Sequence, residues 1–398
     1  MAKAEGIWIE DKDGRRYMDF HGNSVHHIGY GHPKLVAAIK AQLDELPFAP
    51  RRFTCDVAVE LAEITPGDLS KVLFTTGGSD ANEVALKIAR AATGRFKTVS
   101  FWDSFHGAGM GAASVGGEAT FRSHIAGPLM SGTEHVAPFA CYRCPYGHAG
   151  PETCGLACAN MVEYVLEREG DVAAVIAEPM RAVPFVPPPG FWRSVRAACN
   201  RHGALLIMDE IPTGLGKTGR MFAFEHDDIV PDIVTIGKSL GGGILPLAAC
   251  IAHKDLDVCG DFAIGHYTHE KNPVTTRAAL TTIEIIEEEG LVERAANLGD
   301  YAMERLQNSL SSCFIVGDIR GRGLMFGIEI VSDKTQKTAG IALAEQIYYA
   351  CLAEGLSFKI SQGCVLTLSP PLTISKAELD SALSIVENAV RDANRAFG

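Results

Sequence analysis

Through the middle of the chain, short apolar runs alternate with longer amphipathic stretches. The runs are VLFT (72–75), TVSF (98–101), AAVIA (173–177), ALLIM (204–208), DIVTI (232–236) and LAACIA (247–252). Each is brief, partly β-branched and bounded by turn formers, which predicts strands of a parallel sheet buried on both faces. Between them, DANEVALKIARAA (80–92) and GFWRSVRAACNRHG (190–203) read as helices. Alternation of this kind predicts a doubly wound α/β sheet. Ligands of such sheets bind beyond the carboxyl ends of the strands.

Past about residue 280 the pattern changes. RAALTTIEIIEEEGLVERAANLGDYAMERLQNSL reads as one long helix and GDIRGRGLMFGIEIV (317–331) as a hairpin. GLSFKI and VLTLSPPLTI follow, and then a terminal helix. The expected organisation is a large sheet domain over 51–281 and a small α+β domain over 282–398, which residues 1–50 join.

Composition narrows the classes. A chain of 398 residues exceeds one ordinary core. A net charge of −12 argues against nucleic acid or an anionic membrane as the main partner. No apolar run approaches the roughly 20 residues that cross a bilayer. The opening MAKAEGIWIEDKDGRRYMDF has no apolar signal core, and eleven cysteines, an odd number, suggest reduced thiols. A cytoplasmic protein is expected.

Chemistry-bearing residues follow the apolar runs. After VLFT comes Thr76-Gly77-Gly78-Ser79 at a helix start. Free N–H groups there suit a phosphate, and a helix cap is the plainer reading. After TVSF comes WDSFHG, where Phe105 could stack on a ring or simply fill the core. Glu178 follows AVIA, Asp209 and Glu210 follow ALLIM, and Lys238 follows DIVTI. Carboxylates at the ends of buried strands are costly unless paired. An anion site, an aromatic, an acid and a lysine at one sheet edge together suit pyridoxal phosphate. Its aldehyde needs a lysine, its ring nitrogen a carboxylate and its ring face an apolar partner.

These residues resemble the class III aminotransferases, pyridoxal-phosphate enzymes of fold type I. DFHGNSVHHIGYGHP (19–33), FTTGGSDANEVALKIAR and IMDEIPTGLGKTGRMFAFEHDDIVPDIVTIGKSLGGGILPLAAC are each similar to a family motif, and the likeness covers nearly the whole chain. Asp209 and Lys238 stand 29 residues apart in a matching context. The resemblance implies a mostly parallel seven-stranded sheet and a homodimer, or a dimer of dimers, with shared sites. It implies Lys238 as the Schiff-base lysine and Asp209 as partner of the ring nitrogen. Gly78 and Ser79 would bind the phosphate, Phe105 would stack on the ring, and Thr268 would reach the phosphate of the other subunit. His106, Glu178 and Ile211 would complete the cofactor pocket, with Glu210 in support. Transfer of an amino group from a primary amine to an oxo acid is the reaction this implies.

The sequence also departs from the family. Where many members read E-P-x-Q-G-E, this chain has EPMRAV, with Arg181 for the glutamine and Val183 for the acid. Thr367 in VLTLSPPL stands where those enzymes often have an arginine. That glutamate–arginine pair helps members handle two substrates in one pocket, so its loss raises an alternative. GHYTHEKNP and VLTLSPPLTI look similar to a lyase branch that releases ammonia from hydroxylated aminoethylphosphonates or acts on phosphoethanolamine. Arg181 would then suit an acidic group on the substrate, or else form an internal ion pair. His26 and His27 are further candidate substrate contacts, with packing as their plainer role. Cys141, Cys144, Cys154 and Cys158 follow C-x2-C-x9-C-x3-C, a spacing tighter than usual zinc ribbons, so no metal is expected although these thiols are its candidates. Family members often carry a few tens of residues before GIWIEDKDGRRYMDF, which suggests a truncated start or a more open pocket.

Overall fold

A computed structural model describes residues 1–50, 53 and 56–397, apart from the side chains of 56–59. Seven strands form the main sheet: β1 (Leu69–Thr75), β2 (Lys97–Phe101), β3 (Thr133–Val136), β4 (Val172–Ala177), β5 (Leu205–Asp209), β6 (Ile233–Ile236) and β7 (Ala248–His253). Their order is β1-β7-β6-β5-β4-β2-β3. Every residue of β4 and β6 is buried, as expected of central strands covered on both faces.

Three features differ from the pattern reading. LAACIA is a strand, but β7 runs antiparallel to both β1 and β6. The link from β6 holds only a turn of 3-10 helix, Lys238–Gly241, whereas a parallel return needs a crossover of about a dozen residues or more. The edge strand β3, Thr-Glu-His-Val, pairs in parallel with β2 and is too short and polar to announce itself.

The long helix is also two. Pro273–Glu288 ends before Gly290, whose φ of 60° is left-handed, and Leu291–Leu310 starts anew. Beyond it, β8 (Val316–Arg322) and β9 (Met325–Asp333) form the hairpin, with β10 (Lys359–Ser361) and β11 (Val365–Leu368) completing the order β8-β9-β11-β10. At the other end of the chain, Arg16–Asp19 pairs in parallel with Leu356–Ser357. This pairing ties the N-terminal meander to the C-terminal portion and brings residues 20–24 toward the main sheet.

Among the described residues no helix is long and apolar enough to cross a membrane. The core under β2 and β4 is aromatic, with Phe101, Phe139, Phe191 and Trp192 in mutual edge contact.

Candidate active site

At the end of β1, Gly77 opens the helix Gly78–Thr93 without any side-chain cap. The N–H groups of the first turn are therefore free to meet an anion. A Cβ on Gly78 would lie 2.9 Å from Ile211 Cδ1, so the helix start packs closely against the Ile211 side chain. Ser79 Oγ accepts from Ala108 N at 3.0 Å. The loop that follows β2 is thus clamped onto the same turn. Gly107, with φ of 129°, passes so near that a Cβ would meet Ser79 Oγ at 2.3 Å.

At the end of β5, Asp209 is buried and fixed on three sides. Its Oδ2 accepts from Asn82 Nδ2 and from His106 Nδ1, both at 2.8 Å, and its Oδ1 accepts from Ile211 N at 3.1 Å. Asn82 also donates to the His106 carbonyl at 2.8 Å and accepts from Thr235 Oγ1 at 2.8 Å. One amide therefore locks β5, β6 and the loop after β2 around a single carboxylate. Neither Asn82 nor Thr235 was singled out in the sequence. The available signal was an Asn facing inward among Val84, Ala85 and Ile88 of an amphipathic helix.

Lys238 begins the turn after β6 with φ of 47°, a left-handed conformation that costs a lysine about 1–2 kcal/mol. The turn is held by Leu240 N on Gly237 O at 3.0 Å and Gly242 N on Ser239 O at 2.8 Å. No hydrogen bond ties the Lys238 ammonium among the described residues. Burial pushes its pKa down, against the charges of Asp209 and Glu178 that push it up, and Lys359 adds to the lowering. A lysine held toward its neutral form is suited to attack a carbonyl and to accept a proton.

The other expected residues fall around this core. Ile211 reaches both Gly78 and Gly237, where a Cβ would come within 2.9 Å of its Cδ1. Phe105 is half exposed beside Phe121, with centroids 4.6 Å apart. Glu178 receives Arg181 Nε at 2.9 Å, and Arg181 Nη2 lies 3.7 Å from Glu118. Glu210 accepts from Phe224 N at 3.0 Å and from the Thr213 hydroxyl, and burial pushes its carboxyl up to about 8. It braces the loop after β5.

His26 and His27 are 0% and 1% exposed, with Nε2 atoms on the carbonyls of Asp19 and Gly214. Neither ring reaches solvent, and burial beside Lys217 keeps both neutral. His21, on the same segment, is half-buried rather than enclosed. Thr367 is buried and donates to Ser361 Oγ at 2.9 Å. Thr268 lies on the exposed segment ahead of Pro273.

The four cysteines come together around one cavity of about 20 Å³, which His148 and Tyr146 also line. Among the described residues, no three His, Cys, Asp or Glu side chains converge as a metal-binding group.

Comparison with known proteins agrees with this geometry. A family model described as Aminotransferase class-III matches residues 1–390. The chain is 45% identical to the (R)-1-hydroxy-2-aminoethylphosphonate ammonia-lyase of Vibrio splendidus, over 98% of this chain and 85% of that protein. It is 38% identical to a leucine/methionine racemase of Thermococcus litoralis, over 98% and 90%. Among solved structures, an (S)-enantioselective omega-transaminase from Thermomicrobium roseum superimposes with a TM-score of 0.92 at 32% identity, covering 98% of this chain and 92% of that one. Family and neighbours imply pyridoxal phosphate, and the donor set fits it: an uncapped helix start, a clamped carboxylate and a buried lysine with no hydrogen bond among the described residues. By its sequence, its mostly parallel seven-stranded sheet and the residues at the strand ends, the chain belongs to the class III aminotransferases, enzymes of pyridoxal-phosphate fold type I.

Proposed function

We propose that the chain binds pyridoxal phosphate at Lys238 and releases ammonia from a small hydroxylated aminoalkylphosphonate, without a second substrate. The observation that carries this reading is the 45% identity, over nearly the whole chain, with the Vibrio splendidus ammonia-lyase. Thr367 and Val183, in place of the arginine and acid that serve two-substrate members, support it.

When bound, pyridoxal phosphate supplies an electron sink for a carbon beside the amine. The main-chain N–H groups of Gly78 and Ser79 would hold its phosphate, Asp209 its ring nitrogen, and Phe105 and Ile211 its faces. Lys238 Nζ takes the proton from the carbon that carries the amine. His106 and Asn82 keep Asp209 oriented. Departure of the neighbouring hydroxyl then needs no amino acceptor. Water is lost and regained, so the products are an aldehyde and ammonia.

Amino transfer from a primary amine to an oxo acid is the second reading, favoured by the likeness to the Thermomicrobium roseum transaminase. Holoenzyme and hydroxylated amine without any oxo acid separate the two. Continuous ammonia release with an unchanged cofactor spectrum supports elimination. Conversion of one equivalent of cofactor to its pyridoxamine form, and nothing further, supports transfer. The exposed position of Thr268 suits a site completed by a second subunit, so a homodimer or a dimer of dimers is the inferred assembly. Free thiols among the described cysteines accord with a cytoplasmic setting.

A further inference from the structure

We propose that Lys359, with His21 beside it, is the contact that selects substrates carrying a phosphonate or similar tetrahedral anion. The inference rests on the proposed reaction only in naming the phosphonate.

Backbone geometry brings the two residues to the site. Phe20 N donates to Ser357 O at 2.8 Å, and Ser369 N donates to Phe20 O at 2.7 Å. Phe20 therefore threads between the segments that lead into β10 and out of β11. The next residue, His21, opens the turn Gly22–Ser24, which packs against the turn Lys238–Gly241. Lys359 heads β10 and stands directly across the ladder from Thr367. Residues paired in this way project from the same face, with Cβ atoms about 5 Å apart. A cation on β10 therefore occupies the ground beside the place where the sequence lacks the family's arginine on β11.

Charge points the same way. Arg181, the cation expected for this task, has Glu178 and Glu118 against its guanidinium. A dianion placed there would meet two carboxylates. Lys359 is exposed and has no carboxylate partner among the described residues. Its charge adds to the lowering of the pKa of both Lys238 and His21. His21 is half-buried, and desolvation keeps its ring neutral, so it offers a hydrogen bond without a second full charge. A compact ammonium with three donors suits a phosphonate, and the flexible stem lets it follow the group during the reaction.

The test uses Lys359→Met and Lys359→Arg in the holoenzyme. Two amines are compared, 1-hydroxy-2-aminoethylphosphonate and a neutral amino alcohol of similar length. In Lys359→Met, the ratio of kcat/KM for the anionic over the neutral amine should fall at least about tenfold, through KM, which corresponds to about 1.4 kcal/mol of lost discrimination. Lys359→Arg should recover most of it. Binding of methylphosphonate, measured by calorimetry, should weaken by a similar factor. An unchanged ratio, or unchanged methylphosphonate affinity, overturns the proposal. If the wild type transfers nitrogen instead of releasing ammonia, the proposed reaction fails, while methylphosphonate affinity still decides the role of Lys359.

Discussion

Asn82 is the side chain on which the arrangement around Asp209 turns. Asn82→Ala removes its bonds to Asp209 Oδ2, to the His106 carbonyl and from Thr235 Oγ1, all at 2.8 Å. A hydrogen bond to a carboxylate is worth about 2 kcal/mol and a neutral one about 1 kcal/mol, so the folded state should lose about 4 kcal/mol. Water entering the gap would reduce the loss. The function should suffer separately, because Asp209 loses one of two donors on the same oxygen. If the 2 kcal/mol of that bond orients Asp209 in the transition state, kcat/KM drops by about 30-fold. Urea unfolding of the cofactor-free protein reads the first quantity and initial rates read the second. Thr235→Val keeps the volume and deletes only the outer hydroxyl, so it should cost about 1 kcal/mol and change rates by less than about threefold. Equal rate losses in the two variants would refute the argument, since the amide would then not act through Asp209.

Other consequences are as specific. Lys238→Ala should abolish turnover and the absorbance of the covalently held cofactor, while Gly78, Ser79 and Asp209 still retain cofactor noncovalently, as dialysis would read. Gly107→Ala places a Cβ 2.3 Å from Ser79 Oγ at φ of 129°. Cofactor affinity should fall about tenfold and stability by about 2 kcal/mol, measured by titration and thermal unfolding. Glu210, held up at about 8, keeps a proton that the unfolded chain releases near 4.5. Its contribution is therefore full below 4.5 and is lost as the pH rises to about 8. Glu210→Gln should flatten that decline, whose steepest slope is about 1.4 kcal/mol per pH unit; an unchanged slope in urea midpoints would contradict the assignment. Arg181→Ala leaves Glu178 buried beside the site without its partner, so it should destabilise by about 3 kcal/mol. It should slow neutral and anionic amines alike, which paired kinetics would show.

Much of this was legible in the chain. Runs such as AAVIA and DIVTI are apolar on both faces because central parallel strands meet helices above and below, and that fixed the layer order before any coordinates. Glu178, Asp209 and Lys238, at or just after AAVIA, ALLIM and DIVTI, pointed to one candidate edge, since a charged group at the end of a buried strand needs a reason to be there. Other features were out of reach. LAACIA carries no mark of its antiparallel direction, which depends on how short the link before it is. Gly290 lies within an otherwise helical pattern, and its left-handed break became plain only from the backbone.

The site divides along the same line. Asp209 ends β5, and Lys238 and Gly78 lie two to three residues beyond β6 and β1, as the sequence pattern predicted, because strand ends are set by local pattern. Their supports come from elsewhere: Asn82 on a helix and His106 on the loop after β2 meet at one carboxylate, and Thr235 within β6 holds Asn82. The substrate side was reordered. His26 and His27 are buried on main-chain carbonyls and Arg181 is engaged by glutamates, while His21 and Lys359 arrive from segments more than 300 residues apart. Sequence determined the fold class and the family, and through the family it implied the cofactor, because periodicity and strand-end residues are local properties. Only the tertiary structure decided which charges are already neutralised, as Arg181 is by Glu178 and Glu118, because an ion pair is a distance between groups the chain keeps apart.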